Sequence, residues 1–202
     1  LHTRFLENEQ YDVPPANVGV TMTNLAWVWA KERIGIYVYE GMDELAVSSL
    51  VDTYPFPGVV RTLSVGGERK PIRTRHGLTV VPRWTFARAP SLSRLLIPGG
   101  DLAENDAEAV EQWAQEQRLT TEYVHGVNAA QPLTEGQFVF DQILPDVARR
   151  YSRPIAEVVV NGLEYPFPYS SLAGSAWPYY NLVIPALLGL AGLTLMWLAW
   201  RE

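Results

Sequence analysis

The residues that could carry chemistry in this chain are few. None of its 202 residues is cysteine, which excludes a thiol nucleophile, a disulfide and any cysteine–zinc site. His2, His76 and His125 are too scattered to suggest a metal centre, and no metal-ligand spacing or glycine-rich phosphate loop stands out. Glu40 ends an apolar run and reads as an acid at a helix N-terminus. Gly99 and Gly100 supply backbone that another group can approach closely. His76 and His125 read as structural histidines satisfied by their surroundings. Ser48 and Ser49 lie outside any Gly-x-Ser-x-Gly elbow, so neither has the setting of an activated nucleophile. Asp101, Glu104, Asp106, Glu108 and Glu111 crowd one stretch and read as a solvated acidic face. A calcium loop would need tighter alternation and a central glycine.

Composition narrows the function classes further. Sixteen Lys and Arg against 22 Asp and Glu leave a formal net charge of −6, opposite in sign to the basic stripe of a nucleic-acid binder. With 48% hydrophobic and 19% charged residues, the chain has enough apolar mass to fold.

The elements that must position these groups alternate between strand and helix. Ile34–Tyr39 reads as a buried strand, and Asp43 to Val51 as a helix. Val59–Val65 reads as a second strand, Leu78–Val81 as a short extended piece and Leu92–Ile97 as a third strand closed by Pro98, Gly99 and Gly100. Asp106–Gln117 reads as a helix with Asp106 as its cap and Ala107, Val110, Trp113 and Ala114 on one face. Thr120–Val124 is another strand, and Phe138–Tyr151 and Pro154–Leu163 are closing helices, Pro154 suiting a helix start. This order predicts an α/β domain with a mainly parallel sheet. Residues 1–33 form an extension packed on the domain or on a partner. Within it, Asn24 to Trp29 suits an interface, an edge strand or part of the core.

The C-terminal end differs in character. Residues 165–200 hold no charge, and Tyr179–Trp200 is a 22-residue apolar run. As an α-helix it would rise about 33 Å, enough to cross a bilayer core. Trp177, Tyr179 and Tyr180 at one end, and Trp197 and Trp200 at the other, suit the two headgroup levels. Gly189 and Gly192 share a face and would let a partner helix approach closely. Residues 167–178, rich in proline and aromatic residues, form the connector. The chain begins at Leu1 rather than Met. The expectation is a leader or anchor before it, with the domain extracytoplasmic, that is, periplasmic.

Three blocks in order carry a resemblance. They are IYVYEGMDELAV (Ile36 to Val47), RTRHGLTVVPRWTFARAP with LSRLLIPGG (Arg73 to Gly100), and FVFDQILPDVARRYSRPIAEVVVNGLEYP (Phe138 to Pro166). Together they resemble ThiJ/PfpI proteins of the class I glutamine amidotransferase-like superfamily, in the version seen in isonitrile hydratases and at the front of some transcription regulators. The resemblance covers residues 34–166. It implies a flavodoxin-like parallel sheet in which Glu40 would hydrogen-bond a nucleophilic cysteine, with Gly99 and Gly100 near an oxyanion. In the family that cysteine sits on a sharp turn after the strand matching Thr120–Val124. Here His125 and Gly126 follow, and only 11 residues, Val127 to Gln137, precede the closing helices. The elbow therefore reads as missing and the domain as shortened.

The functional expectation is a non-catalytic accessory subunit, not an enzyme, anchored in the membrane beside integral membrane protein subunits of a larger complex. No cofactor, metal or nucleic acid is expected. Glu40, Gly99, Gly100 and His125 would line a remnant pocket. The alternatives are a membrane-tethered small-molecule sensor using that pocket, or a cysteine-independent hydrolase or hydratase.

Overall fold

The β-branched run near residue 34 forms β1, Glu32–Tyr37, at the centre of a five-stranded sheet. The computed structural model describes residues 14–26, 31–124, 138–165, 167–168, 172–176 and 183–201. The other strands are β2 (Val60–Gly66), β5 (Trp84–Thr85), β6 (Arg94–Pro98) and β7 (Thr120–Val124), in the order β5-β2-β1-β6-β7. All four pairings are parallel, which the expected α/β class requires. β7 has the expected limits, whereas β1, β2 and β6 begin or end one or two residues from theirs, because pairing rather than hydrophobicity sets their ends. Leu78–Val81 is extended as expected but lies outside this sheet. Thr79–Val80 (β4) folds back on Ile72–Arg73 (β3) as a separate antiparallel hairpin. β5 carries no extended apolar run of its own.

Side chains of β1 alternate between two cores. Ile34 and Ile36 enter one with α1 (Pro15–Ala26), α2 (Glu44–Thr53), α4 (Val139–Arg150) and α5 (Arg153–Gly162). Tyr37 enters the other with Val65, Leu95, Ile97 and the α3 residues Val110 and Trp113, where α3 is Glu104–Gln117. Fully buried side chains such as Ile34, Leu95 and Ile97 each contribute about 1.5–3 kcal/mol. On the second face the rings of Tyr37 and Phe86 stack at 5.7 Å, and those of Phe86 and Trp113 at 4.7 Å. Trp113 Nε1 donates to the Phe86 carbonyl at 3.1 Å. These contacts fix α3 to the sheet.

Helix ends follow local chemistry. Asp43 caps α2, its Oδ1 accepting from the N–H groups of Leu45 and Ala46 at 2.8 and 3.2 Å. Ser152 caps α5, with Pro154 in its first turn. Asp106 does not cap α3. That helix starts two residues earlier, after Ala103, which offers no side-chain acceptor. Glu104 and Asp106 instead place negative charge in the first turn, where the helix dipole favours it.

Residues 24–26 end the helix α1 rather than forming a strand, and 27–30 lie outside the described residues. Val20 of α1 is buried in the shared core, and α1 packs on α5. Beyond α5, Tyr165, Phe167 and Leu172 are buried in the same core. The Arg153 N–H donates to the Ser175 carbonyl at 2.9 Å. A Cβ on Gly174 would lie 2.1 Å from the Ala148 carbonyl oxygen, so only glycine permits this contact.

The last helix is α6, Val183–Arg201. Among the described residues no helix is by itself long and apolar enough to cross a membrane. The span expected from the sequence starts on residues 179–182, which lie outside them, as does Trp177. Nothing lies within 4 Å of a Cβ built on Gly189 or Gly192. Trp197 and Trp200 are exposed.

Candidate functional site

The chain runs from β1 outward to β2 and β5, then returns to β6 and continues outward to β7. The connections after β1 and β6 therefore leave in opposite directions. The carboxyl ends of two such strands are where an open α/β sheet forms its ligand crevice. Glu40 follows β1, and Gly99 and Gly100 follow β6, so the structure brings these three expected residues together. His125 lies outside the described residues.

The space between the two loops is occupied by backbone. Met42 and Gly100 form an isolated antiparallel bridge. The Asp43 N–H donates to the Gly99 carbonyl at 2.7 Å, and the Asp101 N–H to the Gly41 carbonyl at 3.1 Å. The Gly99 N–H donates to the Val124 carbonyl at 2.8 Å, so it is not offered to an oxyanion. The Tyr39 hydroxyl donates to the Pro98 carbonyl at 2.7 Å. Burial first, and then the charge of Asp101, pushes that phenol well above its ordinary value.

The β3–β4 hairpin is strapped to these loops. Glu40 Oε2 accepts from the Arg73 N–H at 3.0 Å, and the Gly41 N–H donates to the Arg73 carbonyl at 2.8 Å. The Arg75 N–H donates to the Met42 carbonyl at 3.0 Å. Arg75 also pairs with Asp101 at 2.6 Å, and the hydrogen bond and charge of Arg75 hold the Asp101 carboxyl below its usual range. His76 Nδ1 lies 3.0 Å from Glu44 Oε1. Glu40 thus spends its carboxylate on a backbone amide. Asp101 does not belong to a merely solvated face. Neither does Glu111, which accepts from Thr121 and Tyr123 at 3.2 and 2.8 Å and ties α3 to β7. Ser48 Oγ donates to the Leu45 carbonyl within α2. Among the described residues no group of His, Asp and Glu could hold a metal ion.

A second cluster of ionisable groups went unseen in the sequence, since its members lie far apart along the chain. Arg94, 2% exposed, opens β6. Its Nη1 reaches Asp146 Oδ2 at 2.9 Å and Glu122 Oε2 at 2.8 Å. The Tyr54 hydroxyl donates to the same Asp146 oxygen at 2.7 Å, and the guanidinium lies 4.9 Å over the Tyr54 ring. Asp146 Oδ1 accepts from Arg149 and Arg150 at 2.9 and 2.8 Å. The Tyr151 hydroxyl donates to Glu32 at 2.5 Å. These contacts join β1, β6 and β7 to α4, and the charges are matched in sign. The cluster is suited to holding elements together rather than to proton transfer.

Burial alone would raise the Asp146 carboxyl. Arg94, the Tyr54 hydrogen bond and Arg150 outweigh it and hold the group below the ordinary 3.8. A value lower in the folded chain than in the unfolded one stabilises above the unfolded value and is lost as pH falls through the folded one. Unfolding free energy should therefore fall with pH below about 4, and less steeply in an Asp146→Asn variant. Urea unfolding at intervals from neutral to acid pH measures both slopes.

No family model matches the chain, and no curated protein matches it in sequence. Solved structures do. A ThiJ/PfpI family protein from Pseudomonas syringae superposes with a TM-score of 0.58 at 19% identity, over 92% of this chain and 94% of that one. Toxoplasma gondii DJ-1, in its oxidized form, gives 0.51 at 14% identity, over 67% of this chain and 100% of that one. Against a DJ-1 superfamily protein from Agrobacterium tumefaciens the match spans 46% of this chain and only 53% of the other, at 17% identity and a TM-score of 0.38. The described α/β domain has the fold shared by DJ-1 and ThiJ/PfpI proteins.

Proposed function

We propose that this chain is a non-catalytic accessory subunit of a larger membrane complex, a degenerate ThiJ/PfpI-type domain anchored by its C-terminal helix. The observation that carries this reading is the surface of that helix. Val183 to Trp200 holds no charged residue. Leu190, Leu193, Leu195, Met196 and Leu198 fall on every side of α6 and all are exposed. An all-round apolar surface suits lipid and partner helices rather than water. The uncharged residues 179–182 just before α6 extend the run towards the length of a bilayer core. Gly189 and Gly192 offer a partner helix a place to approach.

The non-catalytic part is supported by the lack of any cysteine, by the commitment of Glu40 to the Arg73 amide, and by the strap across the switch-point crevice.

The test is purification of the native particle in mild detergent without crosslinker. Stoichiometric integral membrane partners are the expected result. A chain truncated after Ala176 should leave the membrane fraction, and the full chain should not turn over amide, aldehyde or isonitrile substrates. A lone monomer would overturn the accessory reading. Turnover abolished by Glu40→Gln would replace it with an enzyme.

A further inference from the structure

An open groove of about 550 Å³ near the amino-terminal ends of β1 and β2 plays no part in that reading. Its lining includes Arg33, Arg61, Arg83, Trp84, Pro55 and Pro90. Arg33 and Arg61 are direct partners in the β1–β2 register. Partners in neighbouring parallel strands project from one face. Here it is the face that carries Tyr37 and Val65 further along. Like charges set opposite one another repel. No acid relieves two of the three, since Arg33 and Arg83 have no carboxylate partner among the described residues. The acid next to Arg33, Glu32, is engaged elsewhere by Ser93 and Tyr151. Lys31 adds a fourth cation nearby. Partial burial first, and then the Arg61 charge, lowers its amine below the ordinary value. In a chain with a net charge of −6, this concentration of cations contrasts with the matched charges around Arg94.

We propose that the groove binds a multiply charged phosphate-type oxyanion, held between the guanidinium groups of Arg33 and Arg83. Trp84 and the two prolines form an apolar wall for the rest of the ligand. The planar guanidinium matches phosphate oxygens two at a time, which gives direction as well as charge. A soluble phosphate ester and a phospholipid headgroup share this chemistry.

The full chain in neutral detergent is titrated calorimetrically with pyrophosphate. Saturable binding is expected, weakening as salt rises. An Arg33→Gln/Arg83→Gln variant should lose about tenfold or more in affinity. An Arg69→Gln/Arg118→Gln variant removes the same charge outside the groove and should bind as the parent does. All four side chains are exposed, and matched thermal melts confirm that both variants fold. Short-chain phosphatidic acid, a phosphomonoester lipid, is then compared with glycerol phosphate. Tighter binding of the lipid assigns the site to a headgroup, and equal binding assigns it to a soluble ester. No saturable binding of pyrophosphate overturns the proposal, and so does an equal loss in the two double variants. Neither result depends on whether the chain has membrane partners.

Discussion

Replacing Arg94 with alanine should lower the unfolding free energy by about 3–5 kcal/mol. The guanidinium is almost wholly buried and lies between Asp146 and Glu122. Removing it leaves Asp146 facing Glu122 with only Arg149 and Arg150 to answer them. A buried carboxylate that loses its partner bears its full desolvation cost. Because a domain is stable by only about 5–15 kcal/mol in total, the variant should unfold at far lower urea. An Arg94→Met/Asp146→Leu variant should lose much less than the two single losses added, because the two buried charges leave together, although the Tyr54 hydroxyl loses its acceptor and Glu122 keeps only Arg150. Equilibrium urea unfolding followed by circular dichroism gives all of these values. A loss below about 1 kcal/mol for Arg94→Ala, the range of surface pairs, would mean that the cluster does not hold the sheet to α4.

Gly100→Ala should cost about 2–5 kcal/mol, for two reasons that act together. Gly100 has φ of +144°, a conformation that side chains rarely adopt. Its added methyl would lie 2.6 Å from the Gly41 carbonyl oxygen, 2.6 Å from Met42 Cα and 2.9 Å from the Asp43 nitrogen. All three are backbone atoms, so no rotamer can yield. The loops after β1 and β6 would have to separate, loosening the bridge and with it the hairpin strap. Amide exchange should accelerate at Asp43, Arg75 and Asp101, whose N–H groups bond across these loops. Gly67→Ala is the control. Its methyl meets only Phe86 Cε2 at 4.0 Å, so stability should change by no more than about 1 kcal/mol.

The central strands were legible because β1, β2 and β6 are short runs of branched and aromatic side chains, the composition that a buried parallel strand needs. α1 was not legible. Gly19, Thr21 and Thr23 weaken its helical pattern, and its stability comes from packing on α5 through Val20. β5 is only two residues long and exists through its register with β2. Glu40, Gly99 and Gly100 were placed together through the family resemblance, and the order β2-β1-β6 puts them at the switch point. The strap could not be foreseen, since it depends on backbone bonds from residues 73 and 75 to the loops after β1 and β6. The Arg94 cluster was hidden for a related reason. Its charges stand at 32, 94, 122, 146, 149 and 150, and only the order β1-β6-β7 with α4 behind it makes them neighbours.

The ring stack on the second face gives the domain an optical reporter. Phe86 and Trp113 lie 4.7 Å apart and within 15° of parallel, and Tyr37 continues the series towards Tyr39 at 5.4 Å. Fixed, asymmetric contacts of this kind generate near-ultraviolet circular dichroism, which fades once tertiary packing is lost even where helices persist. Detachment of α3 from the sheet would thus register in that band while the far-ultraviolet signal still reported an intact fold, a spectroscopic handle on a single layer of the molecule.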